Sequence, residues 1–345
     1  MERLSVQMNV NHAQSKEEIL TMAIRDVKEL KQYHAMNWNK LVDVMDKKTY
    51  EKLTEQTWFA TRMPVSKDKG DWSKLPDVEK RMVERVFGGL TLLDTLQSRD
   101  GIASLRADVR TDMEIDVLNQ IQWMETEHAR SYSSIFSTLN TNQEIRDIFE
   151  WVDESELIQL KANIIGDIYE NGTPLQKKVA SVFLESFQFY SGFYTPLHYL
   201  GTQRLMNVAE VIKLIIRDES QHGGYIGYKF KLGYNELPAD EQEELKAWAY
   251  SLLYELYEIE CEYTEFLYDE IGWTEDVKKF LQFNANKALM NLGLSPLFSV
   301  SADDINPIVL NGLSTSTTNH DFFSAVGNGY LMSAVEDMRD SDYDY

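Results

Sequence analysis

The chain is short of the residues that staple or break a fold. Its 345 residues include one cysteine, Cys261, which rules out an internal disulfide framework and points to a reducing, cytoplasmic setting. Cys261, in YEIECEYTEF, reads as an ordinary helix residue. Basic residues are scarce: 34 lysines and arginines face 56 acids, for a net charge of −22. That balance argues against a nucleic-acid surface and against an anionic membrane partner. No apolar run approaches the ~20 residues of a membrane span, and the opening MERLSVQMNVNHAQSKEE has no apolar signal segment. Alternating strand patterns are nearly missing. Only 7 prolines and 17 glycines occur, many at natural stops such as Pro64, Pro76, Asn171–Pro174, Gly233–Pro238 and Gly293–Pro307.

Between those stops run long segments of period near 3.6, which predict an all-α chain of roughly ten helices in one bundle-like domain. Residues 1–20 form a polar N-terminal extension, 21–310 the helical domain, and 311–345 a flexible acidic tail ending AVEDMRDSDYDY, with Tyr343 and Tyr345 at its end. Pro196, in GFYTPLHYL, is expected to kink or end its helix. Gly88–Gly89 lower helix propensity inside another, so close helix–helix approach is expected there.

Two Glu-x-x-His pairs stand out, Glu125–His128 and Glu219–His222. Each follows another carboxylate, Asp94 by 31 residues or Glu185 by 34. Residues i and i+3 share a helix face, so each pair can aim a carboxylate and an imidazole at one point. Every one of the six continues an apolar stripe: Val83, Phe87, Leu90, Asp94, Gln97; Leu118, Ile121, Glu125, His128, Tyr132, Ile135; Val182, Glu185, Phe189, Phe193; and Leu205, Val208, Ile212, Ile215, Glu219, His222. A carboxylate facing the core is costly unless its charge is compensated. Four carboxylates around two divalent cations sum to zero, with neutral histidines completing the shell. One Glu-x-x-His is a weak signal in an acidic helical chain; the duplicated arrangement is specific. His12, His34, His198 and His320 lack such company and read as ordinary histidines, and Glu127 points away from the pair that flanks it.

Oxygen-rich ligands with one imidazole per ion suit iron or manganese, whereas soft-metal and structural zinc sites favour thiolates. A four-helix bundle carrying two such pairs and two further carboxylates is the scaffold of ferritins, hydroxylases, desaturases and ribonucleotide reductase small subunits, so the scaffold leaves function open. Tyr132, four residues after His128, brings a phenol near the ions, and Phe189, Phe193 and Ile215 are placed to enclose it. A buried tyrosine is most often plain core; beside an oxidising metal pair it is where a radical could be kept.

The stretches GLTLLDT (89–95), HARSYSSIFSTL (128–139), LESFQFYSGFY (184–194), IIRDESQHGGYIGYKF (215–230), NANKALMNLG (284–293) and NPIVLNGL (306–313) closely resemble the small, radical-generating subunit of class I ribonucleotide reductase, most of all class Ib. The resemblance runs from about Met36 to the C-terminus. It implies a ferritin-like bundle with a dinuclear manganese or iron site held by Asp94, Glu125, His128, Glu185, Glu219 and His222, and Tyr132 as the radical tyrosine. It also implies a transfer path through Trp38 (in NWN) and Asp218 to His128, with Tyr330 (in GNGYLM) as the relay to a large catalytic subunit. A homodimer and a flavodoxin-like activator complete the implied assembly. The stored radical would start reduction of ribonucleotides to deoxyribonucleotides in that partner. No Gly-rich phosphate loop is present, so the nucleotide site and the reducing thiols are expected there too. Gln188 departs from the pattern where an apolar residue is expected, as does the charged stretch QSRDGIASLRAD after Leu96. A ferritin-like oxidase would need neither a caged Tyr132 nor a relay tyrosine in the tail. An oxidase with its own substrate would need an apolar pocket where Phe189 and Phe193 sit.

Overall fold

The computed structural model describes residues 32–314, with side chains to residue 312. The expected extension 1–20 and most of the tail 311–345, with Tyr330, Tyr343 and Tyr345, fall outside the described residues, as do His12 and His320. Residues 32–40 belong to a separate unit ending at Lys40. Within it the Asn37 carbonyl accepts from Lys40 N at 3.1 Å.

Eleven helices of eight residues or more fill the described part of the second unit, and no strand occurs among the described residues. They are α1 (Val44–Glu55), α2 (Asp77–Leu96), α3 (Asp112–Leu139), α4 (Asn142–Glu154), α5 (Glu156–Asn171), α6 (Pro174–Phe183), α7 (Tyr190–Gly201), α8 (Met206–Tyr234), α9 (Ala239–Tyr268), α10 (Thr274–Asn291) and α11 (Pro307–Ser314). The all-α expectation holds. None of these helices is long and apolar enough to cross a membrane.

Local chemistry starts the helices where they start. Thr111 caps α3 by accepting from Glu114 N at 3.0 Å. Thr141 and Glu144 form a capping box at α4, and Thr173 and Gln176 form another at α6, where Pro174 occupies the first helical position. Leu205, expected within the stripe of α8, instead precedes it in the left-handed region at φ 43°.

The core lies between α2, α3, α7 and α8, and is extended by α6, α9 and α10. The glycine pair in α2 marks close approach, as expected. A Cβ on Gly88 would sit 2.7 Å from Val152 Cγ2 of α4, and one on Gly89 would sit 2.6 Å from the Tyr263 hydroxyl of α9. The roughly 1 kcal/mol that each glycine costs a helix is offset by that contact. Pro196 does not end its helix: α7 runs through it to Gly201. Every residue of α7 except His198 and Gly201 is buried, so packing on both sides outweighs the loss of one backbone hydrogen bond.

Both single-carboxylate segments are interrupted by a π-helical turn. One, Gln97–Gly101, follows the end of α2 three residues after Asp94; the other, Leu184–Gln188, joins α6 to α7 and contains Glu185. Such turns concentrate at functional sites. The charges in QSRDGIASLRAD point outward at Arg99 and Asp100, while Gln97 is completely buried.

Candidate metal centre

The six stripe residues converge. Asp94 on α2, Glu125 and His128 on α3, Glu185 in the second π turn, and Glu219 and His222 on α8 are all buried. Their donor atoms fall into two overlapping groups, Asp94, Glu125, His128 and Glu219, and Glu125, Glu185, Glu219 and His222, each with ligand atoms within 4.8 Å of one another. Glu125 and Glu219 belong to both. His128 Nδ1 lies 2.9 Å from Glu219 Oε1 and 3.4 Å from Glu125 Oε2, while His222 Nδ1 lies 2.7 Å from Glu125 Oε1 and 3.3 Å from Glu219 Oε2. Each shared carboxylate therefore turns one oxygen toward each histidine.

These approaches are not hydrogen bonds. Both oxygens of Asp94, Glu125 and Glu219, Glu185 Oε2 and the Nδ1 atoms of both histidines are buried with no hydrogen-bond partner. Orphaned buried polar atoms are rare and expensive. Nine facing one another are explained by cations between them, which is the fit a dinuclear site requires. Glu125, Glu185 and Glu219 make their charged contacts with the two histidines rather than with a lysine or arginine.

The electrostatics describe the same compression. Burial raises the Asp94 and Glu219 carboxyls well above the usual range, and the charge of Glu125 adds to it. Glu125 is held at about 2 because the His128 charge overcomes its burial. Burial favours neutral His128, but its contact with Asp218 and the nearby Glu125 carboxylate win and push it up to about 10. Protons on two imidazoles can balance two of the four carboxylates; two divalent ions balance all four.

Tyr132 is completely buried and its hydroxyl makes no hydrogen bond. It lies close enough to Asp94 to feel that charge without the geometry of a hydrogen bond, and burial, then Asp94, hold its proton far above the ordinary phenol value. The ring stacked on it is Phe87, centroids 5.6 Å apart. Phe189, Phe193 and Ile215 are fully buried, and the two phenylalanines pack on each other at 5.8 Å. The Gln188 amide is buried, with neither its oxygen nor its nitrogen hydrogen-bonded.

Around this group lies a polar layer that sequence reasoning located in part. Asp218 was expected beside His128, and its Oδ2 lies 3.3 Å from His128 Nε2. A carboxylate holding the far nitrogen of a ligating imidazole fixes its tautomer and orientation. The indole that donates to Asp218 Oδ2, at 2.7 Å, is that of Trp58, which also stacks on His128 at 6.0 Å and 18°. The position assigned by resemblance to Trp38 is therefore filled by Trp58, because the turn after α1 carries that indole over the α3–α8 seam. Trp38 itself lies in the unit 32–40. No spacing could have found this contact, which links residues 160 apart. Arg217 donates to Asp218 Oδ1 through Nε at 3.1 Å and through its terminal nitrogen at 2.9 Å. Glu127 is buried and accepts from Ala60 N at 3.1 Å and from Arg130 at 3.0 Å. His198 packs at a tilt against Trp273, ring centroids 4.0 Å apart, the ordinary role expected of it.

Residues 35–307 match the family model described as "Ribonucleotide reductase, small chain". The chain is 48% identical over 312 residues to ribonucleoside-diphosphate reductase subunit beta nrdF2 of Mycobacterium tuberculosis strain H37Rv, covering 90% of this chain and 96% of that one. It is 46% identical over 317 residues to ribonucleoside-diphosphate reductase 2 subunit beta of Escherichia coli K12, covering 92% and 99%. The crystal structure of Streptococcus sanguinis dimanganese(II)-NrdF superposes with a TM-score of 0.81 at 65% identity, over 82% of this chain and all of that one.

Proposed function

Because the chain belongs to the ribonucleotide reductase small-chain family, whose members generate the radical for ribonucleoside diphosphate reduction, we propose how its residues divide that work. Asp94, Glu125, His128, Glu185, Glu219 and His222 hold two metal ions, Tyr132 stores the radical, and Asp218, Trp58 and Tyr330 carry it outward. When bound, the manganese or iron pair supplies the one-electron oxidising power that a phenol requires. The protein does the rest.

Glu125 and Glu219, with one oxygen toward each histidine, would each help to hold both ions. Tyr132 gives up its electron and proton together, since neither a phenolate nor a charged phenol is tolerated in a dry pocket without a partner. The Asp94 carboxylate, whose charge acts on that phenol more than any other, is the group that would take the proton. Phe87 covers the ring and keeps water from quenching the product. His128, Asp218 and the half-buried Trp58 form a continuous bonded and stacked path from the ions toward the surface.

Beyond Trp58 the route passes to Tyr330, outside the described residues, and then to a cysteine of a large catalytic subunit that docks on the tail 311–345. The chain acts as a homodimer in the cytoplasm. Manganese is the favoured metal, as in the similar dimanganese protein, with a flavodoxin-like activator bringing its oxidant.

The observation that carries this reading is a fully buried phenol without a hydrogen bond, beside nine unpartnered donor atoms on six convergent residues. Tyr132→Phe tests it. The variant should bind two ions per chain and give no tyrosyl signal by electron paramagnetic resonance. It should not support deoxyribonucleotide formation with the catalytic subunit; retained turnover would refute the assignment.

A further inference from the structure

The two ion positions are anchored in opposite ways, and this inference rests on the dinuclear reading above. At the first, the imidazole is fixed: His128 Nε2 faces Asp218, which Trp58 and Arg217 hold, while both oxygens of Asp94 are unpartnered. At the second, His222 Nε2 has no hydrogen-bond partner and the carboxylate is fixed instead.

What fixes it is Gln97, the completely buried first residue of the π turn that follows Asp94. Its Nε2 donates to Glu185 Oε1 and, at 2.8 Å, to Ser181 Oγ. Its Oε1 accepts from the Tyr169 hydroxyl at 2.6 Å. Tyr169 is buried deeply enough that its proton stays on, so its hydroxyl is a donor toward the amide. That donor selects the amide's orientation: the oxygen turns to Tyr169 and the NH2 to Glu185. Gly101 leaves room for the arrangement, since a Cβ there would collide with Gln97 Oε1 and come within 2.9 Å of the Tyr169 ring.

We propose that Gln97, aimed by Tyr169, is a positioning residue that occupies Glu185 Oε1 and leaves Oε2 as the one oxygen Glu185 offers to the second ion. Oε2 suits that role: it is buried, has no hydrogen-bond partner and lies 3.5 Å from His222 Nδ1. Asp94, with no such anchor, keeps both oxygens for the first ion. The protein thereby builds two unequal ion positions from matching pairs of ligands.

The test is calorimetric titration of the metal-free full-length chain with manganese(II), comparing wild type, Gln97→Leu and Tyr169→Phe. Each is repeated in an Asp94→Ala background, which removes a ligand private to the first position and so identifies the second. In Gln97→Leu the second ion should bind about 10- to 100-fold more weakly, the usual effect of removing a group that orients a ligand, and the first ion should bind as in wild type. Tyr169→Phe should weaken the same ion by a smaller factor. Equal weakening of both ions would mean general loosening and would overturn the proposal; unchanged binding of both would do so as well. If Gln97→Leu does not fold, Tyr169→Phe, which removes only a hydroxyl, decides by the same criteria. Fewer than two ions in the wild type would overturn the dinuclear reading itself.

Discussion

Trp58→Phe separates radical storage from radical export. The substitution removes the indole N–H that donates to Asp218 Oδ2 at 2.7 Å while leaving an aromatic ring over His128. A hydrogen bond to a charged acceptor contributes about 1.5–3 kcal/mol. Asp218 still has two bonds from Arg217 and its contact with His128, so its position remains determined by three other interactions. Ion binding should therefore fall by less than the ~10- to 100-fold typical of losing such a carboxylate outright, and stability by about 1–3 kcal/mol. Export should fail. A hundredfold slowing needs only about 2.7 kcal/mol on the barrier, and a phenyl ring is harder to oxidise than an indole by far more. Electron paramagnetic resonance should report a near-normal Tyr132 signal, and the two-subunit turnover assay should report at least a hundredfold loss. Trp38→Phe, made in parallel, should leave turnover near wild type. Normal turnover in Trp58→Phe, or loss in Trp38→Phe instead, would refute the corrected path.

Two further expectations concern charges in the framework. Lys161 Nζ lies 2.6 Å from Glu260 Oε1 and 4.1 Å from the Tyr263 ring centroid, behind Gly89 of α2, and the pair is buried. Lys161→Met should cost about 3–5 kcal/mol, and Lys161→Met with Glu260→Leu should restore most of it. Burial already raises the Glu260 carboxyl, and losing Lys161 raises it further. Above the unfolded value of about 4.3 the folded state then binds the extra proton, so the deficit should be larger at pH 8 than at pH 5 in urea titrations; a deficit independent of pH would refute the reasoning. Burial of its amine lowers Lys287 to about 8, below its unfolded value. Between pH 8 and about 10.4 the unfolded chain holds a proton that the folded chain has released, so stability rises with pH across that window. The stabilisation conferred by Lys287→Met should accordingly be full below pH 8 and shrink by pH 10 in thermal melts; a constant difference would count against it.

Helical periodicity made the six donor residues legible, because a stripe of apolar residues fixes which way every member points, acids included. The all-α class and the close approach at Gly88–Gly89 follow from equally local rules. Trp58 was not legible, because a contact across 160 residues leaves no period behind. Gln97 stood on the right stripe, yet its bond to Glu185 depends on a π turn, and a 3.6-residue reading has no means of seeing the added residue. Pro196 does not stop its helix for the opposite reason: a local rule was outweighed by burial of nearly the whole of α7.

The two π turns also constrain how this chain can change length. Each holds one residue more than a regular helix would use, so deleting one would let the α-helix close up at little local cost. Closing it would rotate everything on one side by about 100° relative to the other, swinging Asp94 or Glu185 off its face of the bundle. Single-residue deletions within 97–101 or 184–188 should thus yield well-folded chains with poor ion uptake, making these segments intolerant of indels for a reason that melting temperatures would not reveal.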